Sequence, residues 1–373
     1  MENSYPKRKK VSLELLNLSN PFFRILKWSV ILGFISLVVG SASAFFLLAL
    51  EKVTQFRDSN FWIVYFLPLA GIFIGWLYFY YGKNVTKGNN LLLEEIHSPT
   101  SIIPIRMAPF VFFGTIVTHL FGGSAGREGT AVQMGGSIAH QLVRFVPLTS
   151  KEQQTLIILG MSAGFASVFG TPIAAAIFSN EVIRIGTYRW KLIFPSLVTA
   201  YLAHLVCLEW GVSHSHYPNI PLEITNTAIC CLVVISIFSG WVAKLFTLFI
   251  HKVTELHSAF IHYPPFRPLF GGIILVVLFG FGFSPVYFGL GLPTIQAAFV
   301  ELLPWETFLL KLILTTITIG SGFKGGEVTP LFLLVLVWEM FLVILIQVTL
   351  CCLLELDLFR SLQEPVIHLL LLP

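Results

Sequence analysis

Long apolar stretches follow one another along almost the whole chain, separated by short segments rich in glycine, proline or charge. A helix that crosses a bilayer needs about 20 consecutive apolar residues, and some of these stretches reach that length while others are shorter or interrupted. The pattern predicts an all-α polytopic membrane protein with broken and re-entrant helices. The apolar stretches cover residues 24–50, 61–81, 102–121, 129–147, 153–168, 171–184, 190–209, 222–250, 267–290, 306–320 and 330–356.

Four glycine-containing breaks interrupt the apolar pattern: "GGSAGREGT" from Gly122, "GTPIAAA" from Gly170, "GFSPVYFGLGLP" from Gly282 and "GSGFKGGEVTP" from Gly320. Irregular backbone at membrane depth survives only where protein or a water-filled cavity satisfies its polar groups. The first and last breaks lie roughly 200 residues apart, and each carries one cation, one glutamate and a closing threonine before an apolar helix. Broken helices in matching positions of two halves are typical of transporters built from inverted repeats.

The composition agrees with a membrane protein, since 55% of residues are hydrophobic, only 11% are charged and the mean hydropathy is +0.82. A soluble domain carries about 25% charged residues. The net charge of +4 is scattered, so it does not indicate nucleic-acid binding. The basic cluster Lys7 to Lys10 predicts that residues 1–21 form a cytoplasmic lead-in. The five cysteines show no ligand spacing, so we expect neither a metal site nor a cofactor.

Arg127 and Glu128 raise the question of why an apolar chain places two charges among glycines. A helix that begins inside a protein leaves its first N–H groups unpaired and carries a positive dipole end, so converging helix starts form an anion site. An ionised glutamate there competes with the anion, and a protonated one can leave, which would couple anion passage to proton binding. A structural salt bridge in a surface loop is the alternative interpretation of the same two residues.

The segment "GGSAGREGTAVQMGGSIA" is similar to the G-R-E-G-P signature of the CLC family of chloride channels and anion/proton antiporters, and "GFKGGEVTPLF" resembles another of its signatures. The resemblance covers residues 22–332 and implies a CLC-type transmembrane domain, a homodimer with one pathway per subunit, and location in the cell membrane among lipid. It also implies that Glu128 is the gating glutamate and proton carrier. The implied activity is transport and not enzymatic catalysis.

Several departures from the chloride-type pattern resemble the fluoride/proton antiporter branch of that family. Thr130 replaces a proline, Asn89 replaces the serine that faces the central anion, and Val182 stands where chloride antiporters have an inner glutamate. Fluoride is strongly hydrated, so a site that strips its water must supply strong hydrogen bonds, which Asn and Thr can donate. The anion-binding residues implied by the resemblance are Gly88, Asn89, Asn90, Gly126, Arg127, Gly129, Thr130, Glu327, Val328 and Thr329.

Three other functions stay open on the sequence. A chloride channel or chloride/proton antiporter of the same family would share most of these motifs. The stretch "GGSAG" also fits the G-x-S-x-G pattern of a serine hydrolase with Ser124 as nucleophile, although that motif needs a strand-turn-helix context. The third alternative is an inactive truncated product.

The last alternative comes from residues 333–373, which we interpret as an aberrant tail. Charged residues fall on apolar segments there without the regular spacing expected of a helix: Glu339, Glu355, Asp357 and Arg360. Back-translation with a shift of one base permits "LIGAGLGNVFG" for residues 333–343 and "AGIGFVSVFAGASNTPL" for residues 354–370, both in keeping with the family. We therefore expect a frameshift near Phe332, an incomplete C-terminal part and poor stability; the nucleotide sequence of these codons tests this.

Overall fold

The computed structural model describes residues 21–183, 189–214, 226–282, 284–299, 301, 303–304, 306–331 and 333–335. Within these ranges, regular structure is helical throughout, which confirms the all-α prediction. The helices are α1 (Pro21–Ser59), α2 (Leu67–Tyr81), α3 (Asn89–His97), α4 (Met107–Leu120), α5 (Glu128–His140), α6 (Ser150–Phe169), α7 (Pro172–Glu181), α8 (Trp190–Glu209), α9 (Asn226–Phe260), α10 (Phe266–Gly280), α11 (Leu292–Ala297) and α12 (Glu306–Gly320). Residues 328–331 and 333–335 are helical again.

Three helical stretches of the described chain are long and apolar enough to cross a membrane: Pro21–Ser59, Phe61–Tyr81 and Trp190–Glu209. The predicted stretch 61–81 consists of a short 3₁₀ helix, Phe61–Phe66, that continues into α2.

All four predicted breaks interrupt helices in the structure. Helix α4 ends at Leu120 and α5 begins at Glu128, and α12 ends at Gly320 before helix resumes at residue 328. The other two breaks separate α6 from α7 and α10 from α11. The apolar stretch 129–147 is one exception to the sequence pattern, because α5 ends at His140 and a 3₁₀ turn follows.

Helices α5 and α6 pack backbone against backbone. A Cβ placed on Gly160 would lie 2.6 Å from the Ala139 Cβ and 2.7 Å from the Gly135 carbonyl carbon, so both glycines are required for this approach. Small residues at a crossing let membrane helices come close enough for van der Waals packing to hold them. The packing fixes the axis of α5, the helix whose first residue is Glu128.

Helix α3 is held at its C-terminal end by the buried carboxylate of Glu95. Its oxygens accept hydrogen bonds from the backbone N–H and hydroxyl groups of Thr100 and Ser101, at 2.8 to 3.1 Å. Leu92 of the same helix packs in a core cluster with Ile157 and Met161 of α6. These contacts position the start of α3, where Asn89 lies, relative to α5 and α6.

Candidate anion site

The two breaks that resemble one another meet in space. The Gly126 N–H donates to the Gly326 carbonyl at 2.6 Å, and the Gly326 N–H donates back to the Gly126 carbonyl at 2.7 Å. A Cβ on Gly326 would lie 2.9 Å from the Gly129 nitrogen and 3.0 Å from the Glu128 nitrogen, so this backbone lies directly against the start of α5. The sequence prediction that the two segments are counterparts is thus reflected in a reciprocal backbone pair.

Two threonines brace the paired loops in the same manner. Thr318 on α12 accepts a hydrogen bond from the Ser124 N–H at 3.1 Å, and Thr118 on α4 accepts one from the Lys324 N–H at 3.2 Å. Each threonine hydroxyl donates in turn to a carbonyl of its own helix, Gly114 or Leu314. Each half of the chain therefore holds the loop of the other half.

The Glu128 carboxylate lies between two helix starts and is 1% exposed. Its Oε2 accepts hydrogen bonds from the Arg127 N–H at 3.1 Å and the Thr329 N–H at 3.3 Å. The Thr329 hydroxyl donates to Oε1. The carboxylate thus accepts hydrogen bonds from N–H groups at the start of α5 and at the start of the helical turn that begins at residue 328. Such helix starts stabilise an anion.

A cavity of about 70 Å³ reaches this carboxylate. Its lining is largely apolar, and Glu128 is the titratable side chain among the residues that line it. A Cβ on Gly129 would lie 3.5 Å from the Asn89 Nδ2, which shows how closely the Asn89 amide approaches the start of α5. The lining residues are Asn89, Leu93, Glu128, Gly129, Val132, Met161, Phe165, Phe178, Val182 and Val328.

Four other predicted site residues, Gly88, Asn90, Thr130 and Glu327, are not among the residues that line this cavity. Gly88 precedes α3 with a φ of 57°, a conformation that favours glycine. Thr130 is buried and its hydroxyl lies 2.6 Å from the Thr115 hydroxyl. Asn90 and Glu327 are exposed and do not line the cavity, so neither contacts the carboxylate pocket in this arrangement.

The geometry does not favour the alternative of a serine hydrolase with Ser124 as nucleophile. Its hydroxyl is buried and lies 2.8 Å from the Thr315 hydroxyl, on a turn between two helices. The nearby His119 uses its ring nitrogens on the carbonyls of Thr115 and Ala125, at 2.9 and 3.0 Å. A nucleophile needs a base within hydrogen-bonding reach, and these contacts give Ser124 a structural partner in its place.

Sequence reasoning missed the threonines that carry the loops. Thr115 and Thr118 have counterparts in Thr315 and Thr318, at the same spacing that relates Gly126 to Gly326. That spacing was visible in the sequence, but it also relates Thr54 to Thr254 and Thr149 to Thr349, so by itself it does not single out these four hydroxyls.

Replacing Thr318 with Val should destabilise the protein by about 1–3 kcal/mol, because the buried Ser124 N–H loses its acceptor. We expect Thr118→Val to have a similar effect through the Lys324 N–H. Thermal unfolding of detergent-purified protein measures both. Thr254→Val is the matched control, since that exposed hydroxyl only caps a carbonyl of its own helix, and a loss in the control as large as in the variants would contradict the bracing role.

Comparison with known proteins gives consistent matches. The family model of the voltage gated chloride channels matches residues 70–346. A chloride/fluoride channel protein of Pseudomonas syringae pv. tomato is 43% identical over 318 residues, which are 83% of this chain and 70% of that protein. The crystal structure of a CLC-type fluoride/proton antiporter is similar with a TM-score of 0.80 and 37% identity, covering 84% of this chain and 80% of that one. A slow cyanobacterial Cl⁻/H⁺ antiporter shares the fold at a TM-score of 0.70 and 19% identity.

Proposed function

The chain belongs to the voltage-gated chloride channel family of multi-pass membrane proteins, and from this we propose that it exports fluoride in exchange for protons. The observation that supports the proposal most is the position of Glu128, whose carboxylate takes up backbone N–H groups at the starts of two helices. Those donors are what a small anion needs when it gives up its water.

The exchange follows from competition for these donors. While ionised, the Glu128 carboxylate fills the site and blocks it. An anion that arrives through the cavity can take its place only when the carboxylate leaves, and protonation weakens its charge-assisted bonds to Thr329 and to the Arg127 N–H. One proton is then carried each time that an anion passes, because the same group serves as gate and as proton carrier.

Fluoride is favoured over chloride in this proposal by the hydroxyl and amide donors around the cavity. The Thr329 hydroxyl already donates to an anionic oxygen, and Asn89 presents an amide at the lining of the cavity. Fluoride is the more strongly hydrated ion, so it gains more from such donors than from an apolar lining. Val182 also lines the cavity and is not titratable, so Glu128 alone would carry the proton there.

Reconstituted vesicles test the proposal. Fluoride-loaded proteoliposomes should release fluoride when a proton gradient drives exchange, with proton uptake recorded in the same sample. Faster release of chloride than of fluoride would favour the chloride channel or chloride/proton antiporter. Absence of both fluxes would favour the inactive product that the tail hypothesis predicts; residues 336–373 lie outside the described residues, and the family match extends to residue 346.

Family membership also supports a homodimer with one pathway per subunit, surrounded by lipid in the cell membrane. Fluoride or chloride and protons are then its ligands, and it acts as a transporter and not as an enzyme. Cross-linking in native membranes, with the mass of the product read on a gel, would test the dimer.

A further inference from the structure

The first turns of α1, α6 and α8 lie together at one end of the protein. Lys27 Nζ on α1 lies 3.4 Å from Glu152 Oε1 on α6. Arg189, directly before α8, donates from Nη1 to Gln154 Oε1 on α6 at 3.5 Å. Behind these contacts, one core cluster joins residues of the same three helices. The three helix starts therefore form one surface.

This surface carries an excess of positive charge. Glu152 is its carboxylate, and both oxygens are engaged: Oε1 with Lys27, and Oε2 with the Thr149 N–H and hydroxyl at 2.8 and 2.9 Å. All of the cations except Lys27 are exposed, so their charges are accessible from outside the protein. We call this surface the basic end; its segments are residues 21–28, 150–154 and 189–194, and its cations are Arg24, Lys27, Lys151, Arg189 and Lys191.

The basic end lies where lipid headgroups are expected. Helices α1 and α8 are long and apolar enough to cross a bilayer, and a crossing helix has its first residues near the membrane surface. Ile25 and Trp190, each next to a cation in sequence, are 66% and 76% exposed. Tryptophan is enriched at the boundary between membrane and water. Exposed cations and exposed apolar side chains thus alternate at the level of the headgroups.

A phospholipid with an anionic headgroup has the matching chemistry. Its phosphodiester carries the negative charge, and its acyl chains lie beside it and can contact apolar side chains. Basic pockets between membrane helices bind such headgroups. A guanidinium can donate to two phosphate oxygens in parallel, whereas an ammonium group acts as a point charge. A zwitterionic headgroup carries an ammonium group of its own, which the same cations repel.

We propose that the basic end binds a phospholipid with a net anionic headgroup, with the phosphate among Lys27, Lys151 and Arg189. These cations come from three helices, so a bound headgroup bridges the starts of α1, α6 and α8. Helix α6 also contributes Met161 and Phe165 to the lining of the cavity at Glu128. Lipid binding does not depend on which ion the protein carries, so this proposal goes beyond the proposed function and can fail separately from it.

Native mass spectrometry of the detergent-purified full chain tests the site, with phosphatidylglycerol and phosphatidylcholine of the same acyl chains as probes. Phosphatidylglycerol should bind more tightly. Replacing Lys151 and Arg189 together with Gln should weaken its binding about 25-fold, since each cation near the headgroups contributes about fivefold in affinity. Both side chains are exposed and the contact between Lys27 and Glu152 remains, so this variant should fold.

The matched control replaces Lys52 and Lys244 with Gln. It removes the same charge at exposed positions of α1 and α9 outside the basic end, and it should leave both affinities unchanged. Glu152→Gln should act in the opposite direction and tighten phosphatidylglycerol binding about fivefold. Its amide oxygen can still accept the Thr149 N–H, so the helix cap is kept while the negative charge is lost.

Two results would overturn the proposal: equal affinities of the wild type for the two lipids, or affinities that the substitutions at the basic end do not change. The cations would then serve only to orient the chain in the membrane. Displacement of the lipid by glycerol phosphate, which has no acyl chains, would assign the surface to a soluble phosphate and reject the lipid. Fluoride efflux from the same preparation tests the transport proposal independently.

Discussion

Glu128→Gln should abolish proton uptake during fluoride efflux, and it is the substitution with the largest expected effect on function. Glutamine keeps the length of the side chain but cannot release a proton. Its neutral amide also holds the N–H groups of Arg127 and Thr329 less strongly than a carboxylate does. Any remaining fluoride flux should therefore run without protons. The measurement is the ratio of protons to fluoride ions in vesicles, with a pH electrode and a fluoride electrode.

Glu94→Gln is the matched control for that experiment. Glu94 lies on α3 near the same cavity, but it is exposed and pairs with Lys87 at 2.6 Å. An exposed ion pair contributes at most about 1 kcal/mol, so this variant should keep the proton-to-fluoride ratio of the wild type. A Glu128→Gln protein with an unaltered ratio would exclude Glu128 as the proton carrier.

Gly160→Ala should lower the free energy of unfolding by about 1–3 kcal/mol, because the added methyl group meets backbone and not a movable side chain. The nearest atoms would be the Gly135 carbonyl group and the Ala139 Cβ, at distances that real contacts do not reach. Helices α5 and α6 must separate to admit it, and Glu128 moves with α5. Thermal unfolding in detergent should show the loss, and fluoride efflux should fall as well.

Gly240→Ala is the matched control, because it makes the same substitution at a helix position with no neighbouring atoms. Gly240 lies inside α9, and a Cβ there meets no atom within 4 Å. Alanine favours a helix interior over glycine by about 1 kcal/mol, so this variant should be as stable as the wild type or more stable. The two variants are therefore expected to shift unfolding in opposite directions. Equal shifts would mean that the close crossing of α5 and α6 does not limit stability.

The helical class and the breaks were predictable because they depend on local pattern. Apolar length gave α2 and α8, and glycine marked the ends of α4, α6 and α10, with proline following in the last two cases. Glu128 could be identified because a buried charge is costly and must have a partner or a function. In the structure its carboxylate accepts hydrogen bonds from the N–H groups of Arg127 and Thr329.

The partners across the site could not be read from local pattern. Nothing in the neighbourhood of Thr318 indicates that its hydroxyl accepts from Ser124, because that bond joins segments distant in sequence. The roles inferred for Asn90 and Glu327 rest on resemblance alone, and both side chains are exposed. The exposure of a side chain depends on how neighbouring helices pack against it. The hydropathy of one segment carries no information about that packing.

The reciprocal bonds between Gly126 and Gly326 also bear on the order of events during folding. These bonds close a loop of about 200 residues, and closing a long loop costs conformational entropy. Contacts between such distant segments therefore tend to form late in folding. Helices α1 to α8 can pack while the ribosome is still translating the second half, but the start of α5 stays without its backbone partner until residue 326 has entered the membrane. The start of α5 therefore completes these backbone bonds only after residue 326 is in place, and an interruption of synthesis before that residue leaves Gly126 without its partner.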